Sequence, residues 1–266
     1  MSEEVFAPLR LARRVWAVAA IHGESERLKR LHSALFPRFE PGDRLVYLGN
    51  FMGRGPDVAG TMTELLDFRR DLLAAMPGIE AGDIVYLRGA QEEMWRKLLE
   101  LQFAPNPGEV LTWMLNEGVG PTLAAYGADV SQGPAICRSG TLAIVRWTTG
   151  LREMLRRAAG HDELLASLRR AALTDGGELL FVSAGIDPSR PLGEQGDTFW
   201  WGSGYMSNVT EPYAGFRLVV RGYDRARQPA SVGHVVASLD GGAGFGGTLN
   251  AGCFSLDGQP VDWIEA

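Results

Sequence analysis

Three short apolar runs, each closed by a glycine and each followed by residues at helical spacing, set the frame of this chain. "RVWAVAAI" (14–21) runs into His22-Gly23, "DRLVYLGN" (43–50) carries Gly49, and "DIVYLRG" (83–89) ends on Gly89. Apolar runs of this length without polar alternation fit strands buried on both faces. Between and after them lie "SERLKRLHSALF" (25–36), "DVAGTMTELLDFRRDLLAAM" (57–76) and "QEEMWRKLLELQ" (91–102). The first has Leu28, Leu31 and Leu35 on one helical face and Ser25 as N-cap. Strand, loop and helix three times over predict an α/β fold with the strand-end loops gathered at one edge, where such folds place their sites. The loops at His22, Asn50 and Ala90 are expected to converge there.

Residues 103–175 read as mainly helical. Beyond them "ELLFVSAGI" (178–186), "FRLVVRGY" (216–223), "ASVGHVVASLD" (230–240) and "GTLNAGCFSLDG" (247–258) read as strands with glycine-rich turns. No repeat or linker divides the chain, so we expect a short N-terminal extension (1–14) and one domain (15–266). At 266 residues, 45% of them hydrophobic, the chain can bury a sizeable core. A net charge of −6 and the lack of any basic run argue against nucleic acid or an anionic membrane as partner. No apolar run approaches the ~20 residues of a membrane span. The arginine-broken N-terminus does not read as a signal peptide, and Cys137 and Cys253 form no CxxC pair. A soluble cytoplasmic protein with reduced, buried thiols is the expectation.

The loop sequences are specific enough to suggest a family. "AAIHG" (19–23), "GNFMGRG" (49–55) and "GAQEE" (89–93) stand, in order and spacing, where G-D-x-H-G, G-D-x-x-D-R-G and G-N-H-E are expected. "WMLNEGVGPTLAAYG", "LLFVSAGIDPSRPLGEQ", "LVVRGYD" and "SLDGGAGFGGTLNA" follow the pattern further. Over roughly residues 15–258 the chain resembles a bacterial serine/threonine protein phosphatase of the calcineurin-like metallophosphoesterase family. The resemblance implies a central β-sandwich flanked by helices, with a helical insertion at about 103–175 covering the site mouth.

In that family two divalent metals such as Mn, ~3.5–4 Å apart, share a carboxylate and activate a water for attack on phosphorus. Carried over position by position, the first Asp is Ala20, with His22 retained beside it. The bridging Asp is Asn50, the Asn ligand is Ala90, the His of F-V-H-A-G is Ser183, and the last His is Tyr223. The acid of the D-R-G element is Gly53 and the catalytic His of G-N-H-E is Gln91. Loss of an outer-shell partner alone costs about 10–100-fold in metal affinity or activity. Loss of five first-shell groups costs far more, and no metal cofactor is expected. The remaining histidines, His32, His161 and His234, fall in separate segments. No G-x-S-x-G elbow supports metal-free hydrolysis through Ser183.

The arginines that meet phosphate in the family persist as Arg54 and Arg88, and Arg221 replaces a histidine. With His22 they make the candidate ligand-binding set, since guanidinium forks suit phosphate oxygens. The opposing reading, which carries more weight, pairs Arg54 and Arg88 with neighbours such as Asp57 and Glu92. Glu92 itself reads as a loop tie. Trp200, Trp201, Tyr205, Met206 and Tyr213 crowd one stretch and read as core rather than interface. Trp95 and Trp113 also read as core. The expected function is a catalytically inactive phosphatase-like protein that holds a protein partner or a phosphorylated ligand. A metal-dependent phosphatase with an atypical site is the alternative.

Overall fold

In the computed structural model, which describes residues 5–266, the strands are β1 (Phe6–Leu9), β2 (Arg14–Val18), β3 (Asp43–Tyr47), β4 (Ile84–Tyr86), β5 (Ala171–Thr174), β6 (Leu179–Val182), β7 (Leu218–Arg221), β8 (Ser231–Val232), β9 (Val236–Ser238), β10 (Asn250–Ser255) and β11 (Pro260–Glu265). Helices α1 (Ser25–Leu35), α2 (Val58–Ala75) and α3 (Ala90–Leu99) connect or follow the first strands. Then come α4 (Pro107–Asn116), α5 (Gly120–Ala125), α6 (Gly133–Arg138), α7 (Thr141–Arg157), α8 (His161–Ala166) and the single turn α9 (Thr198–Trp201).

The three apolar runs do lie side by side. One sheet has the order β11-β10-β2-β3-β4, with β2, β3 and β4 parallel, so their C-terminal loops share an edge. The other has the order β1-β5-β6-β7-β9-β8, with β6, β7 and β9 parallel. The two sheets form a sandwich. Leu179 and Phe181 of β6 and Leu218 and Val220 of β7 join the large core that also holds Val15, Leu45, Ala251 and Phe254 of the first sheet. The alternate residues Leu180, Val182 and Val219 face the other way, into a smaller cluster with Phe199, Trp200 and Met206. This two-residue alternation is what a sheet covered on both faces requires.

Several expectations shift by a turn or less, and others change more. Residues 6–9, expected in an extension, form an edge strand parallel to β5, with Leu9 fully buried; residues 1–4 lie outside the described residues. The helical segment ends with α8, because residues 171–174 belong to the sheet. Ser25 does not cap α1. Glu24 holds that position, and the Ser25 hydroxyl donates instead to Asp57 (2.7 Å), which caps α2 by accepting the Gly60 N–H. No helix among the described residues is long and apolar enough to cross a membrane.

One buried side chain fixes the loops at the shared edge. The Glu92 carboxylate accepts the backbone N–H groups of Asn50 (2.8 Å), Phe51 (2.8 Å), Met52 (3.3 Å) and Gly89 (2.8 Å). Burial outweighs these bonds and leaves its pKa above the usual carboxylate value. Close backbone approach completes the joint. A Cβ on Gly49 would stand 2.7 Å from the Gly89 nitrogen, and one on Gly89 would stand 2.4 Å from the Asn50 nitrogen. Gly49 also has φ +85°. Replacing Glu92→Ala strands four N–H groups away from water and is expected to cost about 3 kcal/mol or more in urea unfolding. Wild-type stability in that variant would remove Glu92 from its role as the tie.

Candidate functional site

The three strand-end loops bring His22, Asn50 and Arg54 into one place, and each is a non-glycine residue with positive φ (55°, 55° and 52°). Such a conformation is uncommon and costs free energy. Its clustering marks a loop geometry set by the fold rather than by local preference. His22, Asn50, Arg54, Ala90, Gln91 and Tyr223 all line a single enclosed cavity of about 20 Å³. The loops at His22, Asn50 and Ala90 thus meet, while Ala20, Ser183, Arg88 and Arg221 do not line this cavity. Sequence reasoning missed Met94, Glu117, Trp200, Trp201, Ser203 and Arg225, which complete the wall, and Phe245, which packs over His22. Met94 comes from α3, Glu117 from the insertion, and the others from the C-terminal third of the chain.

At the positions that the resemblance aligns with metal ligands the chemistry is that of neutral hydrogen-bonding groups. Asn50 accepts the Gln91 N–H on Oδ1 (3.0 Å), while its Nδ2 has no partner. The His22 ring lies edge-on to Tyr223 and to Phe245, each with centroids 5.6 Å apart. No hydrogen bond of good geometry reaches either ring nitrogen, and only the Met52 backbone opposes the fall of its pKa. Burial and then the neighbouring Arg54 push its pKa down to about 3, so the imidazole is neutral. Ala20 and Ala90 bring no donor atoms, and the Ala20 N–H is taken by the Gly222 carbonyl (3.0 Å). The Ser183 hydroxyl is buried without a partner. It lies where a Cβ on Gly49 would come within 2.9 Å of it.

The two positions that align with the family's acid/base pair, Gly53 and Gln91, lie against each other. A Cβ on Gly53 would stand 2.2 Å from Oε1 of Gln91. Gln91 thus fills the volume that a side chain at 53 would need, and its Nε2 donates to the Glu117 carbonyl (2.8 Å).

The three candidate arginines do not share one pocket. Arg54 lines the cavity, stacks its guanidinium over Phe245 (4.4 Å to the centroid) and reaches Glu117 at 3.7 Å. Its expected partner Asp57 is occupied by Ser25 and Gly60. Arg88 lines a separate depression with Trp95 and Leu99 and pairs with Glu93 (3.3 Å), since Glu92 is committed to the backbone. Arg221 is buried and donates to Asp224 (2.6 Å), the Ser203 carbonyl (3.0 Å) and the Ser238 hydroxyl (3.1 Å). Desolvation lowers its pKa. The cation that joins Arg54 at the cavity is Arg225, which binds the other oxygen of Glu117 at 3.0 Å.

The residue set does not fit a pair of divalent cations. Unpartnered Nδ2 of Asn50 and Nε of Arg54 are hydrogen-bond donors, and donors repel a metal ion. Among the described residues no group of three or more His, Cys, Asp or Glu side chains is placed to hold one. The cavity, about 20 Å³, has room for roughly one water molecule. Elsewhere His32 bridges the Tyr47 hydroxyl (2.8 Å) and Glu64 (2.6 Å), inside the core and away from this edge.

The buried neutral His22 has a pH consequence. Its native pKa of about 3 lies below the reference 6.5. Between those values the unfolded chain takes up a proton that the native state refuses. Stability therefore falls as pH drops from 6.5 toward 3, by up to about 1.4 kcal/mol per pH unit, and is unaffected above that window. His22→Asn keeps a residue that tolerates positive φ and removes the titration. Urea unfolding at pH 7, 5 and 4 is expected to show a shallower acid loss in this variant than in wild type. Identical slopes would mean that the ring is not held neutral.

No protein-family model matches the sequence, and no curated protein matches it. Solved structures do. The crystal structure of a candidate diadenosine tetraphosphatase is 20% identical, with a TM-score of 0.55 over 98% of this chain and 97% of that one. A cold-active protein tyrosine phosphatase is 13% identical, with a TM-score of 0.50 over 98% of this chain and 81% of that one. At such identities the likeness is one of fold alone. The chain has the calcineurin-like metallophosphoesterase fold that its strand-end loops implied.

Proposed function

We propose that this is a phosphatase-like protein that binds rather than cleaves, with a regulatory or partner-holding role. The supporting observation is the donor set at the former metal positions. Asn50 and Arg54, each with an N–H that has no hydrogen-bond partner, line the small cavity beside a neutral His22. Such groups suit an anion or a water, because they supply hydrogens and no negative charge. A whole phosphate is larger than the space of about 20 Å³. One oxygen-sized group can enter, with the rest of a phosphorylated ligand held at the mouth by Arg54 and Arg225.

The competing reading, a metal-dependent phosphatase with an atypical site, needs a ligand cluster that His22 and Asn50 do not supply by themselves. The two readings separate in one experiment. The protein is incubated with excess Mn²⁺, desalted, analysed for metal and assayed on phosphomonoesters. The expected result is far below one equivalent of metal and no turnover. One or two retained equivalents with Asn50-dependent turnover would overturn the non-catalytic reading. Inorganic phosphate titrated against wild type and Arg54→Ala tests the anion: the variant is expected to bind about tenfold more weakly, the loss of one charge-assisted contact. Indistinguishable curves would remove the anion from the proposal.

A further inference from the structure

A second concavity opens beside the filled site. It encloses about 440 Å³ between α3, α4 and α9, and is lined by Glu93, Met94, Lys97, Trp113, Met114, Asp197, Trp201 and Arg225. That size falls within the ~300–1,000 Å³ of small-molecule sites. Met94, Trp201 and Arg225 line both this cleft and the small cavity, so the two are contiguous.

Its walls are unusual for solvent-facing surface. Trp113 and Trp201 lie with centroids 5.7 Å apart and planes at 56°, and are 43% and 38% exposed. Two thioethers, from Met94 and Met114, lie alongside them in the lining. Indole faces left open to water in a concave wall favour a planar aromatic guest. The charges decide what else the guest carries. Glu93 is neutralised by Arg88 (3.3 Å) and Arg96 (2.6 Å), and the field of Asp197 acts on the same Arg96. Lys97 is exposed, and its ammonium has no ion pair or hydrogen bond among the described residues. Arg225 shares Glu117 with Arg54 and is itself largely exposed. Asp197 makes no ion pair among the described residues, but with Glu93 held by two arginines the rim presents two cations, Lys97 and Arg225, against that one open carboxylate.

We propose that this cleft is the ligand site of the protein and takes a small planar aromatic anion. The ring lies on the Trp113–Trp201 pair and the anionic group is met by Lys97 and Arg225. The inference deepens the binding reading above but does not require the former metal site to be inert. The guest is recognised by its ring and its charge together, so neither part alone suffices.

Phenyl phosphate is the probe, with phenol and inorganic phosphate as its two halves. Binding is followed by calorimetry, and the fate of the probe by phosphorus NMR. Phenyl phosphate is expected to bind at least about tenfold more tightly than either half. Trp113→Ala is expected to weaken it about tenfold, as loss of a stacking partner does. Lys97→Gln is expected to weaken phenyl phosphate but not phenol. Trp113 and Lys97 are exposed, so both variants should fold, and near-wild-type urea midpoints confirm it. Absence of binding at millimolar probe, or binding untouched by Trp113→Ala and Trp201→Ala, would overturn the cleft. Release of inorganic phosphate from a probe held through Trp113 would support the cleft and overturn the non-catalytic reading instead.

Discussion

The edge where the loops meet depends on the Glu92 carboxylate. Four N–H groups from two strand-end loops converge on its two oxygens, in a place where no water can take them. Backbone donors buried without acceptors cost about 1–3 kcal/mol each, so the loops cannot separate without a large loss. Glu92 does this from the first turn of α3, where it also serves as the partner of its own N-cap residue Gly89. A single side chain thereby couples the third strand-helix unit to the second. This role involves no metal.

Scaffold and site chemistry are held by different residues. The glycines and the glutamate hold the backbone, while the side chains at the loop ends pack among themselves. Gln91 occupies the volume opened by Gly53, and Phe245, carried in on the glycine-rich loop 241–247, packs against His22 and under the Arg54 guanidinium. Removing acids from between arginines would leave uncompensated positive charge. Glu117, Glu93 and Asp224 answer it, one for each arginine that the sequence singles out. The fold is held by packing and backbone bonds, whereas hydrolysis would need a particular donor set, so the one does not imply the other.

The aromatic residues show the same division between burial and use. Trp95, Trp200, Met206 and Tyr213 are buried, as a core reading requires, but Trp113, Trp201 and Tyr205 face solvent. Trp113 sits on a helix whose buried side is carried by Leu111 and Met114, so its apolar neighbours in sequence point elsewhere. The exposed indoles come from two segments about ninety residues apart and meet only at the mouth of the old site.

The order of strands and helices was legible in the sequence because buried strands and amphipathic helices impose their own periodicities on neighbouring residues. So were the strand-end loops and the tie made by Glu92, since each rests on residue identity at a fixed spacing. The strands at 6–9, 171–174 and 260–265 were not. They are short or open on one face, and only a paired neighbour makes them strands. Ion-pair partners were also beyond reach: Arg54 turned to Glu117 rather than to Asp57, and Arg88 to Glu93 rather than to Glu92, because distance in space and prior engagement decide pairing. The cleft of Trp113, Trp201 and Lys97 belongs wholly to the tertiary structure, for its walls are unrelated in sequence and are brought together only by packing.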